Sequence, residues 1–255
     1  MSIQVKAAAA TGGAVLAAGG GGYGLFNALH MPEMPKGYQT IQSPTNGKFG
    51  QDFQKHFVDA DSAEKATKNW WEWSYKYIYW HFPNKSSEFK NIKDSAALKN
   101  VCKTAYGKTT RSDISPETDD INNSQANYEK DIWTYCSVHN RVPVTVGEEK
   151  PENSEYKNNK KKKFISVKDK RNDKFWEIQA DAFYKKTVEN QEVEGIGKDA
   201  ADTTAGFKDI YAPTDSSTKT VEDLKNTCEK RYKATYEETK DKETLKFCSL
   251  QGKQD

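Results

Sequence analysis

A mainly α-helical fold is what this sequence predicts: an N-terminal membrane anchor, then two tandem small helical repeats, each closed by an internal disulfide. Three observations carry it. The pattern L-K-N-x-C-x-x-x-Y occurs twice, at Leu98–Tyr106 and Leu224–Tyr232. Each copy is followed by an aromatic-Cys-Ser triplet, Tyr135-Cys136-Ser137 and Phe247-Cys248-Ser249. Paired self-similarity of this kind sets the architecture of a chain. Apolar residues around both copies step by three and four, the period of a helix with one buried face. Finally, no formally charged side chain occurs from Ala7 to Met31.

Composition bounds the rest. Charged residues make up 30% of the chain and mean hydropathy is −0.95. That alone points toward disorder. A net charge of only +2 and an aromatic content of 12% argue against it. The expectation is small aromatic-rich cores joined by polar connections, in units that need a covalent staple. Near-neutral charge gives no electrostatic reason to expect a nucleic-acid partner.

Taken in order, residues 1–31 read as a signal anchor: Lys6 precedes the uncharged run, and Glu33 and Lys36 follow it. About 20 apolar residues suffice to span a bilayer as a helix. A cleaved signal peptide and a soluble N-terminus are the competing readings, because Gly19–Gly22 and the alanines make the run weakly apolar. With Lys6 kept inside, the C-terminal region would lie outside the cell membrane. Residues 32–50, rich in Pro, Gly, Ser and Thr, read as a flexible tether.

Repeat 1, residues 51–140, opens with a helix predicted from about Asp61 to Trp80, capped by Asp61 or Ser62 and stopped by Pro83. Trp70, Trp73, Tyr77 and Trp80 then share one face. That face is read as a core stripe, with a ligand platform as the alternative. Asp94 caps a second helix that aligns Leu98, Cys102 and Tyr106. Thr109 to Ser124 reads as a loop, and Tyr128, Ile132, Tyr135 and Cys136 resume helical spacing. A returning antiparallel helix would set Cys136 beside Cys102.

Residues 141–163 form a linker ending in Lys160–Lys163, a solvated lysine run rather than a nucleic-acid site. Repeat 2, residues 164–255, follows the plan loosely. Phe175-Trp176-Glu177-Ile178, with Ala182 and Phe183, stands where Trp70-Trp71-Glu72 stood. Gly195 to Ser217 reads as an irregular loop, and Thr220 with Asp223 as a capping box ahead of Leu224, Cys228 and Tyr232. Four cysteines allow three connectivities. Cys102–Cys136 with Cys228–Cys248 is the one consistent with the repeat; the alternative is four reduced, buried thiols. Disulfides require an oxidising compartment.

Catalytic and cofactor signatures are missing from the sequence. His30, His56, His81 and His139 are scattered, with no H-E-x-x-H and no C-x-x-C. Gly107-Lys108-Thr109 and Gly195-Ile196-Gly197-Lys198 each lack the earlier glycine of a phosphate loop. A non-enzymatic protein with no cofactor is therefore expected.

The N-terminal MSxxxKAAAxxGG…AxGGGGYG segment, together with Lys/Asn-rich sequence carrying spaced aromatic-Cys pairs, resembles paralogous families of uncharacterised proteins in haemotrophic mycoplasmas. The likeness covers that segment, both L-K-N-x-C elements and both [YF]-C-S elements. It implies a protein anchored in or exported through a single membrane, with a part in surface variation toward host cells and antibody. It carries over no catalytic residue. The function expected is a membrane-anchored, surface-exposed antigenic or host-interaction module. The alternative is a surface or secreted small-ligand binder using the aromatic cluster at 70–80.

Overall fold

The computed structural model describes residues 31–117, 123–148, 163–184, 186–188, 191–200, 206–211, 220–237 and 241–252. All but the last residue of the anchor assigned to 1–31 lies outside them, as do Lys160–Lys162. No described helix is long and apolar enough to cross a membrane. The chain divides into two units, Met1–Met34 and Pro35–Asp255, and every described helix and strand belongs to the second.

Helix dominates. In chain order the α-helices among the described residues are α1 (Phe49–Asp52), α2 (Lys65–Trp73), α3 (Ser95–Tyr106), α4 (Ser124–Tyr135), α5 (Asp173–Phe183), α6 (Phe207–Tyr211), α7 (Val221–Tyr232) and α8 (Lys242–Cys248). The cap residues behave as their chemistry predicts. The Asp94 carboxylate accepts from Ala97 N–H at 2.7 Å to start α3. Asn123 accepts from Gln125 and Ala126 to start α4. Thr220 and Asp223 form a reciprocal capping box on α7. On α3 the face bearing Leu98, Cys102 and Tyr106 is buried, and on α7 the face bearing Leu224, Cys228 and Tyr232.

The same hydrogen-bond scheme occurs twice. Val58 N–H donates to Cys136 O at 3.1 Å, and Ile165 N–H to Cys248 O at 2.8 Å. Asp59 N–H donates to Gln39 O, and Ser166 N–H to Val144 O, both at 2.9 Å. Trp71 gives its indole N–H to Asp59 O at 3.1 Å, and Trp176 gives its own to Ser166 O at 2.9 Å. Ser74 reaches Tyr135 O through its hydroxyl, and Gln179 reaches Phe247 O through its amide. The isolated bridges match as well: Thr40–Val58 and Phe57–Ser137 in one half, Thr145–Ile165 and Phe164–Ser249 in the other. Each half ends in a left-handed residue, Asn140 at φ 53° and Gly252 at φ 63°.

This scheme corrects three expectations. Residues from Tyr38 on, assigned to a flexible tether, are tied down. Gln39 O is held by Asp59, Thr40 bridges to Val58, Ile41 N–H donates to Phe57 O at 3.1 Å, and Phe49 is fully buried. Backbone groups paired this way cannot stay solvated and mobile. Val144 and Val146, placed in the linker, are likewise buried, and Val146 N–H donates to Phe164 O at 2.7 Å. The stretch after Gly195, read as irregular, contains a 3₁₀ turn at Ile196–Asp199 and helix α6. A short antiparallel hairpin precedes it, β1 (Lys186–Val188) against β2 (Gln191–Val193).

Both halves pack through aromatics. Phe49, Phe53, Phe57 and Trp133 form one cluster, with Phe57 and Trp133 centroids 4.8 Å apart. Phe183, Phe207 and Phe247 form another, with the Phe183–Phe247 and Phe207–Phe247 centroids both 5.1 Å apart. The halves also touch each other. Phe175 of α5 lies 6.3 Å from Trp133 of α4, and Lys163 forms a buried ion pair with Glu129.

Candidate functional site

The aromatic segment at 70–80 is split by its own helix geometry. Helix α2 begins at Lys65, later than expected, without a side-chain cap; Ser62 instead accepts from Glu64 N–H in the turn before it. Beyond Trp73 the chain winds as a π-turn over Ser74–Ile78, in which Tyr79 N–H bonds Ser74 O five residues back, and then as 3₁₀ over Tyr79–His81. A π-turn holds about one residue more than an α-turn. The inward face therefore slips from the Trp70–Trp73–Tyr77–Trp80 stripe to Ile78 and Tyr79. Trp70 is 0% exposed and Trp73 7%, whereas Tyr77 is half-buried and Trp80 is 64% exposed. Trp70 packs edge-on against Trp71 at 5.0 Å and faces Tyr38 at 6.1 Å.

Trp80 consequently stands at the surface beside Tyr75 and Tyr79, at 6.0 and 5.4 Å. The Lys85 ammonium covers the Tyr79 ring at 4.4 Å, a cation–π contact. Beneath this corner Asp131 is buried. Its Oδ2 accepts from Ser86 N–H at 2.6 Å, and Lys130 Nζ lies 3.9 Å from its Oδ1. Burial raises the Asp131 carboxyl above its ordinary range, and the Ser86 bonds and nearby lysines pull it back. Tyr135, also buried, has a hydroxyl with no hydrogen-bond partner among the described residues, and its ionisation is pushed up by burial and by the Asp131 charge.

The four cysteines pair within the halves, Cys102 with Cys136 and Cys228 with Cys248. Their Cα–Cα distances are 5.8 and 6.0 Å, inside the range a disulfide spans. All four are fully buried. Each bridge joins the middle of one helix to the end of the next, as an antiparallel return requires.

One constellation was not visible in the sequence. His56 and His139, 83 residues apart, meet with Nδ1 of the first 2.9 Å from Nε2 of the second. His56 Nε2 lies 3.0 Å from Gln179 Oε1, on the other half. The Gln179 amide nitrogen donates to Phe247 O at 3.0 Å, so its oxygen faces His56 and accepts from Nε2–H. That leaves His56 Nδ1 as an acceptor, and His139 supplies Nε2–H. Phe175 stacks on His56 at 4.5 Å, and Trp133 lies 5.9 Å from both rings. Burial pushes the His56 pKa down to about 4, against a smaller upward pull from the Gln179 bond. His139 is held well below its ordinary value by burial first, then by His56, Lys174 and Arg141. No periodic signal could have joined two single histidines across that distance.

Among the described residues no group of three or more His, Cys, Asp and Glu side chains could hold a metal ion. The arrangement is that of a mainly helical, disulfide-bonded protein with an exposed aromatic corner and a buried histidine pair. Comparison with protein-family models, with curated proteins and with solved structures finds no match.

Proposed function

We propose that this protein is a membrane-anchored, surface-exposed module of antigenic or host-interaction type, built as two tandem copies of one disulfide-closed helical unit. Residues 1–31 serve as the anchor and the C-terminal region faces outward. The observation that carries this reading is the pair of disulfides at corresponding places in the two halves, since such bonds persist in oxidising compartments and rarely in a reducing cytosol. The uncharged run from Ala7 to Met31 supports the same topology from different residues.

Binding rather than catalysis fits the described side chains, and the contact residue favoured is Trp80. Large exposed aromatics are enriched where proteins meet partners. The partner proposed is a host-cell surface or antibody, not nucleic acid. A small-ligand pocket in the 70–80 cluster has less support, because Trp70 and Trp73 are consumed by packing.

Protease treatment of intact cells, combined with thiol alkylation before and after lysis, tests the reading. The expected outcome is cleavage on intact cells and no alkylated cysteine without prior reduction. Full protection until lysis, with four reactive thiols, would overturn it.

A further inference from the structure

The histidine pair lies in the first half and meets the second through His56, and its hydrogen bonds run in one direction. His139 Nε2–H donates to His56 Nδ1, His56 Nε2–H to Gln179, and the Gln179 amide to Phe247 O. Every position on His56 is taken. A proton added at Nδ1 would set N–H against N–H and place a charge between Phe53, Trp133 and Phe175. The surrounding groups do not compensate. Lys174, whose Nζ donates to Val138 O at 3.1 Å, and Arg141 are cationic. The Glu177 carboxylate acts on Lys174, and among the described residues no carboxylate bonds either imidazole. His139 retains some exposure, so solvent protons can reach the pair.

We propose that His56 and His139 form an acid-sensitive latch between the two halves, closed while both rings are neutral and released when they take up protons. The second half carries Lys163 and Gln251 at the matching positions, so the histidine pair has no counterpart there. Its sign is set by linkage. Both histidines bind protons more weakly when closed than when released to solvent, so closure is fully stabilised above the free-histidine value of about 6.5 and weakens as pH falls below it. Each histidine that charges only on release shifts the equilibrium toward the open form about tenfold per pH unit. The disulfides sit within the halves and do not bridge the seam, so release loosens the segments that face it while the helices at 98–106 and 224–232 stay folded.

Hydrogen–deuterium exchange on the full chain, with rates corrected for intrinsic pH dependence, tests this between pH 7.5 and 4.5. Peptides over residues 56–60, 133–140 and 173–183 should lose protection below about pH 6, up to about a hundredfold per unit if both rings charge. Peptides over 98–106 and 224–232 should hold. In His139→Gln, which keeps a neutral amide donor toward His56 Nδ1, the dependence should fall to about tenfold per unit. Seam peptides that stay protected to pH 4.5, or that lose protection together with residues 98–106 and 224–232, would overturn the latch. So would an unchanged steepness in His139→Gln; the wild-type measurement decides alone if that variant does not fold.

Discussion

Tyr232 donates its hydroxyl to the carbonyl oxygen of Ile165 at 2.8 Å, across 67 residues of sequence. Tyr106 makes the matching bond to Val58 at 3.0 Å, and both hydroxyls also reach the carbonyl of a disulfide cysteine, Cys248 at 3.1 Å and Cys136 at 3.4 Å. In each half one phenol therefore ties the helix carrying one cysteine to the backbone of the other. Burial pushes the Tyr106 ionisation well up, so it remains a neutral donor at any ordinary pH.

Removing either hydroxyl takes the donor from Val58 O or Ile165 O, while the cysteine carbonyls keep their backbone donors and the ring's packing is undisturbed. Tyr106→Phe and Tyr232→Phe should each lower unfolding stability by about 1–2 kcal/mol. Urea denaturation, read as a shift in midpoint at unchanged slope, checks this.

The disulfides close loops of unequal length, with sequence separations of 34 and 20. In the chain-entropy model these contribute about 3.8 and about 3.3 kcal/mol at 25 °C. Replacing Cys102 and Cys136 together by alanine should destabilise at least as much as replacing Cys228 and Cys248. Calorimetry of the two double variants against the parent provides the comparison.

Two tryptophans on the same aromatic segment should behave oppositely. Trp70→Ala empties a buried site and should cost about 3–5 kcal/mol. Trp80→Ala, at an exposed position, should change stability by about 0.5 kcal/mol or less. Denaturant titration of both variants measures the contrast, and a large loss for Trp80→Ala would contradict the π-turn geometry.

At Gly252 the backbone is left-handed, and an added Cβ would run into the Asp52 side chain. Gly252→Ala should therefore destabilise by more than the roughly 1 kcal/mol that a left-handed alanine costs alone. Asp52→Ala in the same chain should recover part of that loss, although it also removes the acceptor of the Thr110 hydroxyl. A double-mutant cycle separates the two contributions.

Local signals in the sequence were sufficient for the caps at Asp94 and Thr220–Asp223, for the buried faces of α3 and α7, and for the pairing of the cysteines once the repeated motif was aligned. These features depend on residues three or four apart, or on one pattern occurring twice, and a linear chain displays both. Other features depended on tertiary partners. The π-turn that turns Trp80 outward carries no marker in composition. Gln39 to Ile41 and Val144 to Val146 look like connectors until Phe57 and Asp59, and Phe164 and Ser166, supply their hydrogen-bond partners. His56 meets His139 and Gln179 across 83 and 123 residues. Periodicity reports only what a segment does along its own axis; a contact made across the fold leaves no period behind, so only the packed chain decides it.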